Sequence, residues 1–133
     1  MKKAKILLGV TFLVGTMIIP TITKARDIKT LYFRVPSYQG VAYTPTALKS
    51  NTGGYTVMNI SDIEGGSYAL DGFLVNSNGN QRGEYKTGIM QGDRTLISNW
   101  SSAKGGYNYR FRCINHNSVD YSALVTGSWS PDN

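Results

Sequence analysis

The chain has one histidine, His116, and it stands four residues before Asp120 in a stretch that also holds serines. A histidine, a carboxylate and a hydroxyl are the parts of a nucleophilic hydrolase, in which imidazole takes the serine proton and the carboxylate orients the ring. The rest of that chemistry is missing. No serine sits in a Gly-x-Ser-x-Gly turn that would raise its hydroxyl above a sheet. A histidine between asparagines reads more simply as a turn residue. Glycoside hydrolysis needs two placed carboxylates. The only glutamates, Glu64 and Glu84, each adjoin a glycine in a connection or at a strand start, which reads as solvated charge. Asp62, Glu64 and Asp93 lack the spacing of a calcium loop. No catalytic, cofactor or metal residue is therefore expected, and the chain reads as a non-enzyme. Cys113 has no partner for an intrachain disulfide. Its place among aromatics fits a small buried hydrophobe.

Binding suits the composition better. The sequence holds 9 tyrosines and 2 tryptophans. Tyr32, Tyr38, Tyr43, Tyr85 and Trp100 fall in loops or on faces the pattern does not assign. Rings that stand beside asparagine and glutamine stack on sugars or on protein surfaces. Arg34, Arg110 and Arg112 can share an outer sheet face. Such a face is either a solvated, edge-protecting one or a patch for an anionic cell-wall polymer. The candidate surface-binding residues are Trp100, Tyr85, Tyr43, Arg110 and Arg112.

The elements that must carry these residues show in the alternation. Tyr107, Tyr109, Phe111 and Cys113 share one parity, with Asn108, Arg110 and Arg112 on the other; Tyr121, Ala123, Val125, Gly127 and Trp129 continue in the same way. Period-2 runs with one apolar side are half-buried strands. Placed around an Asn-rich break, the two runs predict a terminal β-hairpin whose loop is His116-Asn117-Ser118, with Phe111 and Val125 turned to the core. The opposite register would bury Arg110 and Arg112, a cost the aromatics could not offset.

Earlier in the chain, strands are predicted over residues 29–35, 41–44, 55–60 and 68–75, the last with a bulge at Asp71-Gly72. Asn78-Gly79 is the strongest short hairpin signal and makes residues 82–90 the partner strand. A further strand is expected over residues 95–98. About seven or eight short strands with regular turn signals point to an all-β antiparallel sandwich, with a barrel as the alternative.

The N-terminus reads as an address. Lys2, Lys3 and Lys5 precede an apolar run over residues 6–19, Pro20 ends it, and Thr23-Lys24-Ala25 offers small residues for cleavage. The run is about 14 residues against the roughly 20 that span a bilayer, so residues 1–25 are a signal peptide rather than an anchor. Residues 26–133 then form one secreted domain, which touches a membrane only through the uncleaved leader. Four of the 14 basic residues lie in the leader and none of the 8 acids does, so the body carries ten against eight, +2 rather than +6. That removes the charge argument for nucleic acid.

The segments Gln91-Gly92, Trp100-Ser101-Ser102-Ala103-Lys104, Asn115-His116-Asn117 and Val125-Thr126-Gly127-Ser128-Trp129 resemble a family of small exported proteins from Gram-positive bacteria whose domain has no assigned function. That family shares a lysine-led signal peptide, a "QG" turn, an aromatic-"SSA" segment, an "NNN"-like loop and a terminal "SGYW"-like strand. The likeness is densest over residues 91–129. Here His116 occupies the middle of the loop, and Ser128 stands where an aromatic is usual. The resemblance implies a small secreted all-β protein and brings no catalytic residues with it. In shape and export it is also similar to the lactococcin-like bacteriocins, which act on the cell envelope. The expected function is thus non-enzymatic and bacteriocin-like, with a cell-wall polymer or envelope protein as partner. The alternatives are a carbohydrate or surface-protein binding module without toxicity and, more remotely, a small hydrolase.

Overall fold

The structure, a computed structural model, describes residues 25–65 and 68–133. The signal peptide read from residues 1–25 lies, apart from its last residue, outside the described residues. Among the described residues there are nine strands: β1 (Lys29–Val35), β2 (Ala42–Tyr43), β3 (Ala47–Leu48), β4 (Tyr55–Ile63), β5 (Leu70–Asn76), β6 (Lys86–Ile89), β7 (Arg94–Ser98), β8 (Asn108–Asn115) and β9 (Ala123–Ser130). They form two antiparallel sheets. The first has the order β1-β9-β4-β7; the second has the order β2-β8-β5-β6, with β3 also paired to β8. The molecule is a small β-sandwich. The one strand beyond the sequence expectation is the two-residue β3; β2 falls within the strand expected over residues 41–44, and both pieces are laid along β8.

Alternation sets the faces as expected. Leu31, Val35, Met58, Ile60, Val125 and Trp129 of the first sheet meet Leu70, Leu74, Ile89, Phe111 and Cys113 of the second, all 2 % exposed or less. Each large side chain in this layer contributes roughly 1.5–3 kcal/mol by leaving water. Among the described residues, the nine strands and the core side chains run from Lys29 to Ser130.

The predicted terminal hairpin is corrected. β8 pairs with β5, β2 and β3, and β9 pairs with β1 and β4; the two strands are not paired with each other. Residues 116–122 cross from one sheet to the other. The crossing is held by Gln39 Nε2, which donates to His116 O at 3.2 Å, and by Tyr38 N, which donates to Val119 O at 2.7 Å. The physical reason is burial. A two-stranded ribbon leaves its apolar side open, whereas two sheets close that side against each other. Phe111 and Val125 both reach 0 % exposure, each entering the core from a different sheet rather than as a side-by-side pair. The Asn78-Gly79 hairpin does form: Asn76 N donates to Asn80 O at 3.0 Å, Val75 bridges Gln81 and Leu70 pairs with Ile89.

Each sheet has one bulge braced by a glycine. The β4–β9 register shifts between Ile60 and Asp62, beside Gly127 at φ 148°, where an added Cβ would lie 2.0 Å from Asn59 O. The β5–β6 register shifts between Leu70 and Gly72, and a Cβ on Gly72 would lie 2.1 Å from Arg112 O. At both places only glycine lets the neighbouring backbone approach.

The C-terminal segment is locked by a buried ion pair. Lys49 Nζ donates to Asp132 Oδ1 at 2.8 Å and to Pro131 O at 2.7 Å, with the Lys49 side chain fully buried. Asn99 Nδ2 also donates to Pro131 O at 3.1 Å, and Trp129 Nε1 donates to Pro45 O at 3.0 Å. A buried lysine is tolerated only with its donors matched in this way.

Candidate functional site

The outward parity of β8 places Asn108, Arg110, Arg112 and Ile114 on the solvent side of the second sheet. Register adds their neighbours: Tyr43 lies opposite Arg112 on β2, while Val75, Phe73 and Asp71 lie opposite Arg110, Arg112 and Ile114 on β5. Side chains paired across antiparallel strands share a face and touch. The Arg110 guanidinium stacks on the Tyr43 ring at 4.1 Å, and that of Arg112 on Phe73 at 5.3 Å. Phe73 in turn meets Tyr85 with ring centroids 6.0 Å apart. Each cation–ring contact at such a half-exposed site is worth about 0.5–1 kcal/mol and holds the guanidinium flat on the sheet. Arg110 Nε is buried and has no hydrogen-bond partner.

The far end of this face carries an acid. Asp71 projects from the bulged strand with its side chain 8 % exposed. His116 Nδ1 lies 2.9 Å from both its oxygens and donates to them; Gly88 N donates to Oδ1 at 2.8 Å and the Tyr85 hydroxyl to Oδ2 at 3.4 Å. Burial, and then the Asp71 charge, push the Tyr85 phenol above its ordinary pKa. The carboxylate is thus surrounded by donors and is spent within the fold.

The near end opens into a cleft of about 510 Å³ whose lining includes Asn78, Arg82, Lys104, Tyr107 and Asn108. A second hollow of about 200 Å³ shares Ser77, Asn108 and Tyr109 with it and reaches Arg110. From cleft to Asp71 the face follows the 8 residues of β8, about 25 Å at roughly 3.3 Å per residue.

Some cations are neutralised within the fold, while Arg94 of the first sheet meets only the neutral Asn133 Oδ1 at 2.6 Å. Lys29, Arg34 and Lys49 pair with Asp27, Glu64 and Asp132. Among the described residues, Arg82, Lys104, Arg110 and Arg112 enter no ion pair. Four unneutralised cations along one face attract an anionic partner.

Of the residues expected at a binding surface, Tyr43, Tyr85, Arg110 and Arg112 come together here. Trp100 does not join their stack. It sits in the turn after β7, 43 % exposed, with its backbone N donating to Arg82 O at 2.8 Å. Arg34 is on the opposite sheet, where it donates to Glu64 Oε2 at 2.9 Å, so it shares no face with Arg110 and Arg112. Tyr32 is also on the first sheet. The carboxylate partner of His116 is Asp71 and not Asp120, which is exposed in the crossing. Sequence reasoning missed Asp71, Phe73, Arg82 and Lys104. For Asp71 a signal existed: a charge inside an apolar strand must find donors, and the one histidine was available to supply them. For Arg82 and Lys104 there was none, because they are brought together by two separate loops.

Comparison with protein-family models, curated proteins and solved structures finds no match.

Proposed function

We propose that this chain is a secreted, non-enzymatic protein that acts at the bacterial cell envelope, bacteriocin-like in character, and that it grips an anionic wall polymer with the outer face of its second sheet. The observation that supports this most is the run of four unpaired cations, Arg82, Lys104, Arg110 and Arg112, interleaved with Tyr43, Phe73 and Tyr107 along one extended face. Cations bring an anionic chain to the surface, and flat rings give its sugar or polyol units something to stack on. The leader supports delivery outside the cell. The reading is tested by sedimenting purified residues 26–133 with Gram-positive cell walls, before and after the phosphate-bearing polymers are stripped, and by adding micromolar protein to growing cells. Retention that falls on stripping, together with slowed growth, is the expected result. Retention without growth inhibition leaves a non-toxic binding module. Protein that stays in the supernatant rules the reading out.

A further inference from the structure

We propose that the cleft at the Asn108 end of β8 is a subsite for a phosphodiester flanked by hydroxyls, the repeating chemistry of a polyol-phosphate or glycan-phosphate polymer. This rests on the function proposed above and names the group that the polymer places there. Arg82 enters from the segment after the Asn78-Gly79 turn and Lys104 from the β7–β8 connection, and the lining of about 510 Å³ contains no carboxylate. Lys104 has no side-chain partner among the described residues, and Arg82 spends one N–H on Gln81 O at 2.9 Å. Two like charges facing a concave, acid-free space repel each other, and an anion between them relieves that repulsion.

The cations stand on a fixed frame. The Tyr109 hydroxyl donates to Lys104 O at 3.0 Å, Gly105 N to Thr52 Oγ1 at 3.1 Å and Gly106 N to Lys49 O at 2.7 Å. Arg82 N donates to Leu74 O at 2.7 Å. The backbone that carries the two cations is therefore ordered before binding, and only their side chains remain to be fixed. The remaining lining, with Asn78, Ser102, Tyr107 and Asn108, consists of neutral donors and acceptors of the kind that hydroxyls match. The adjoining hollow of about 200 Å³ leads to Arg110, so a chain leaving the cleft meets a third cation. A flat lipid surface carries the same phosphodiester but does not enter a concave site, so the polymer is the favoured source.

The test titrates isotope-labelled residues 26–133 with a synthetic glycerol-phosphate oligomer and follows the backbone amides by NMR. Saturable shifts at Asn78, Ser102 and Gly106 are expected. Arg82→Gln with Lys104→Gln should weaken binding by about tenfold or more at unchanged melting temperature, and about 0.5 M salt should weaken the parent. An N-acetylglucosamine oligomer, which lacks phosphate, should leave those amides unmoved. Shifts confined to other regions, equal shifts from the neutral oligomer, or full affinity in the double variant would each overturn the subsite. Pelleting with phosphatidylglycerol vesicles through the same two residues would overturn the polymer as its source. Wall sedimentation separates the two claims: a parent that ignores cell walls ends the proposed function, whereas walls that hold parent and double variant equally end only the subsite.

Discussion

On the outer side of the first sheet, polar groups satisfy one another. Asn59 Nδ2 donates to Ser128 Oγ at 3.4 Å, the Ser61 and Thr126 hydroxyls meet at 3.2 Å, and Arg34 is held by Glu64 at 2.9 Å. On the outer side of the second sheet, Arg110 and Arg112 lie on aromatic rings without an acid, and Arg110 Nε has no partner at all. Both sheets bury the same kind of inner layer, and each carries one glycine-braced bulge. The difference lies in what the outward positions were given. One face has closed its hydrogen bonds within the fold. The other holds two guanidinium groups without an acid, while exposed rings stand on both, Tyr32 and Tyr55 among them on the first.

The largest expected effects fall on the frame that both faces share. Gly127→Ala and Gly72→Ala each force a Cβ into a neighbouring carbonyl and should cost about 3 kcal/mol or more, read by urea unfolding. If either is tolerated within about 1 kcal/mol, the bulges are not what set the two registers. Asp132→Ala leaves Lys49 buried and unpaired, for an expected loss of about 3–5 kcal/mol; Lys49→Met with Asp132→Leu should recover most of it. Neither result should favour one outer face.

A contrast of faces comes next. Arg110→Gln with Arg112→Gln should lower cell-wall retention by about tenfold with little change in stability, the size expected for losing charge-assisted contacts. Ser61→Ala with Thr126→Ala should leave retention unchanged and shift stability by less than about 0.5 kcal/mol. Trp100→Ala should stay within about twofold of the parent, because Trp100 stands apart from the ring stack. A large loss there would extend the contact surface to the rim.

The last effect is absent at neutral pH and appears only under alkaline conditions. Burial pushes the Cys113 thiol up to about 12 from an ordinary 9. In the unfolded chain the thiol ionises first, so the unfolded state binds fewer protons between those two values and stability falls as pH rises. One such group lowers it by about 1.4 kcal/mol per pH unit in that window, and Cys113→Ala should flatten the slope. At neutral pH the native thiol should resist iodoacetamide and react at once in denaturant.

Much of the fold was legible because alternation encodes faces. Leu31, Val35, Phe111 and Val125 are buried as their parity requires, and Asn78-Gly79 turns where its chemistry says. Pairing was not legible. Parity is identical whether β8 and β9 lie side by side or enter the core from different sheets, so the sequence permitted a hairpin where the chain crosses between sheets. The same ambiguity placed Arg34 with Arg110 and Arg112, although they project from opposite sheets. The candidate surface was half legible. Arg110 and Arg112 follow from a strand face, and Tyr43 and Tyr85 were marked only as rings without an assigned face, whereas Arg82 and Lys104 meet only through the folding of two loops.

The claim at the centre is that the second sheet's outer face, and not the first's, holds the cell envelope. Side-by-side sedimentation with Gram-positive cell walls tests it most directly, using the parent, Arg110→Gln with Arg112→Gln, and Arg34→Gln with Tyr32→Ala. Retention lost in the first variant and kept in the second is the predicted result. Equal retention of all three proteins, or loss confined to the Arg34 and Tyr32 variant, would contradict it.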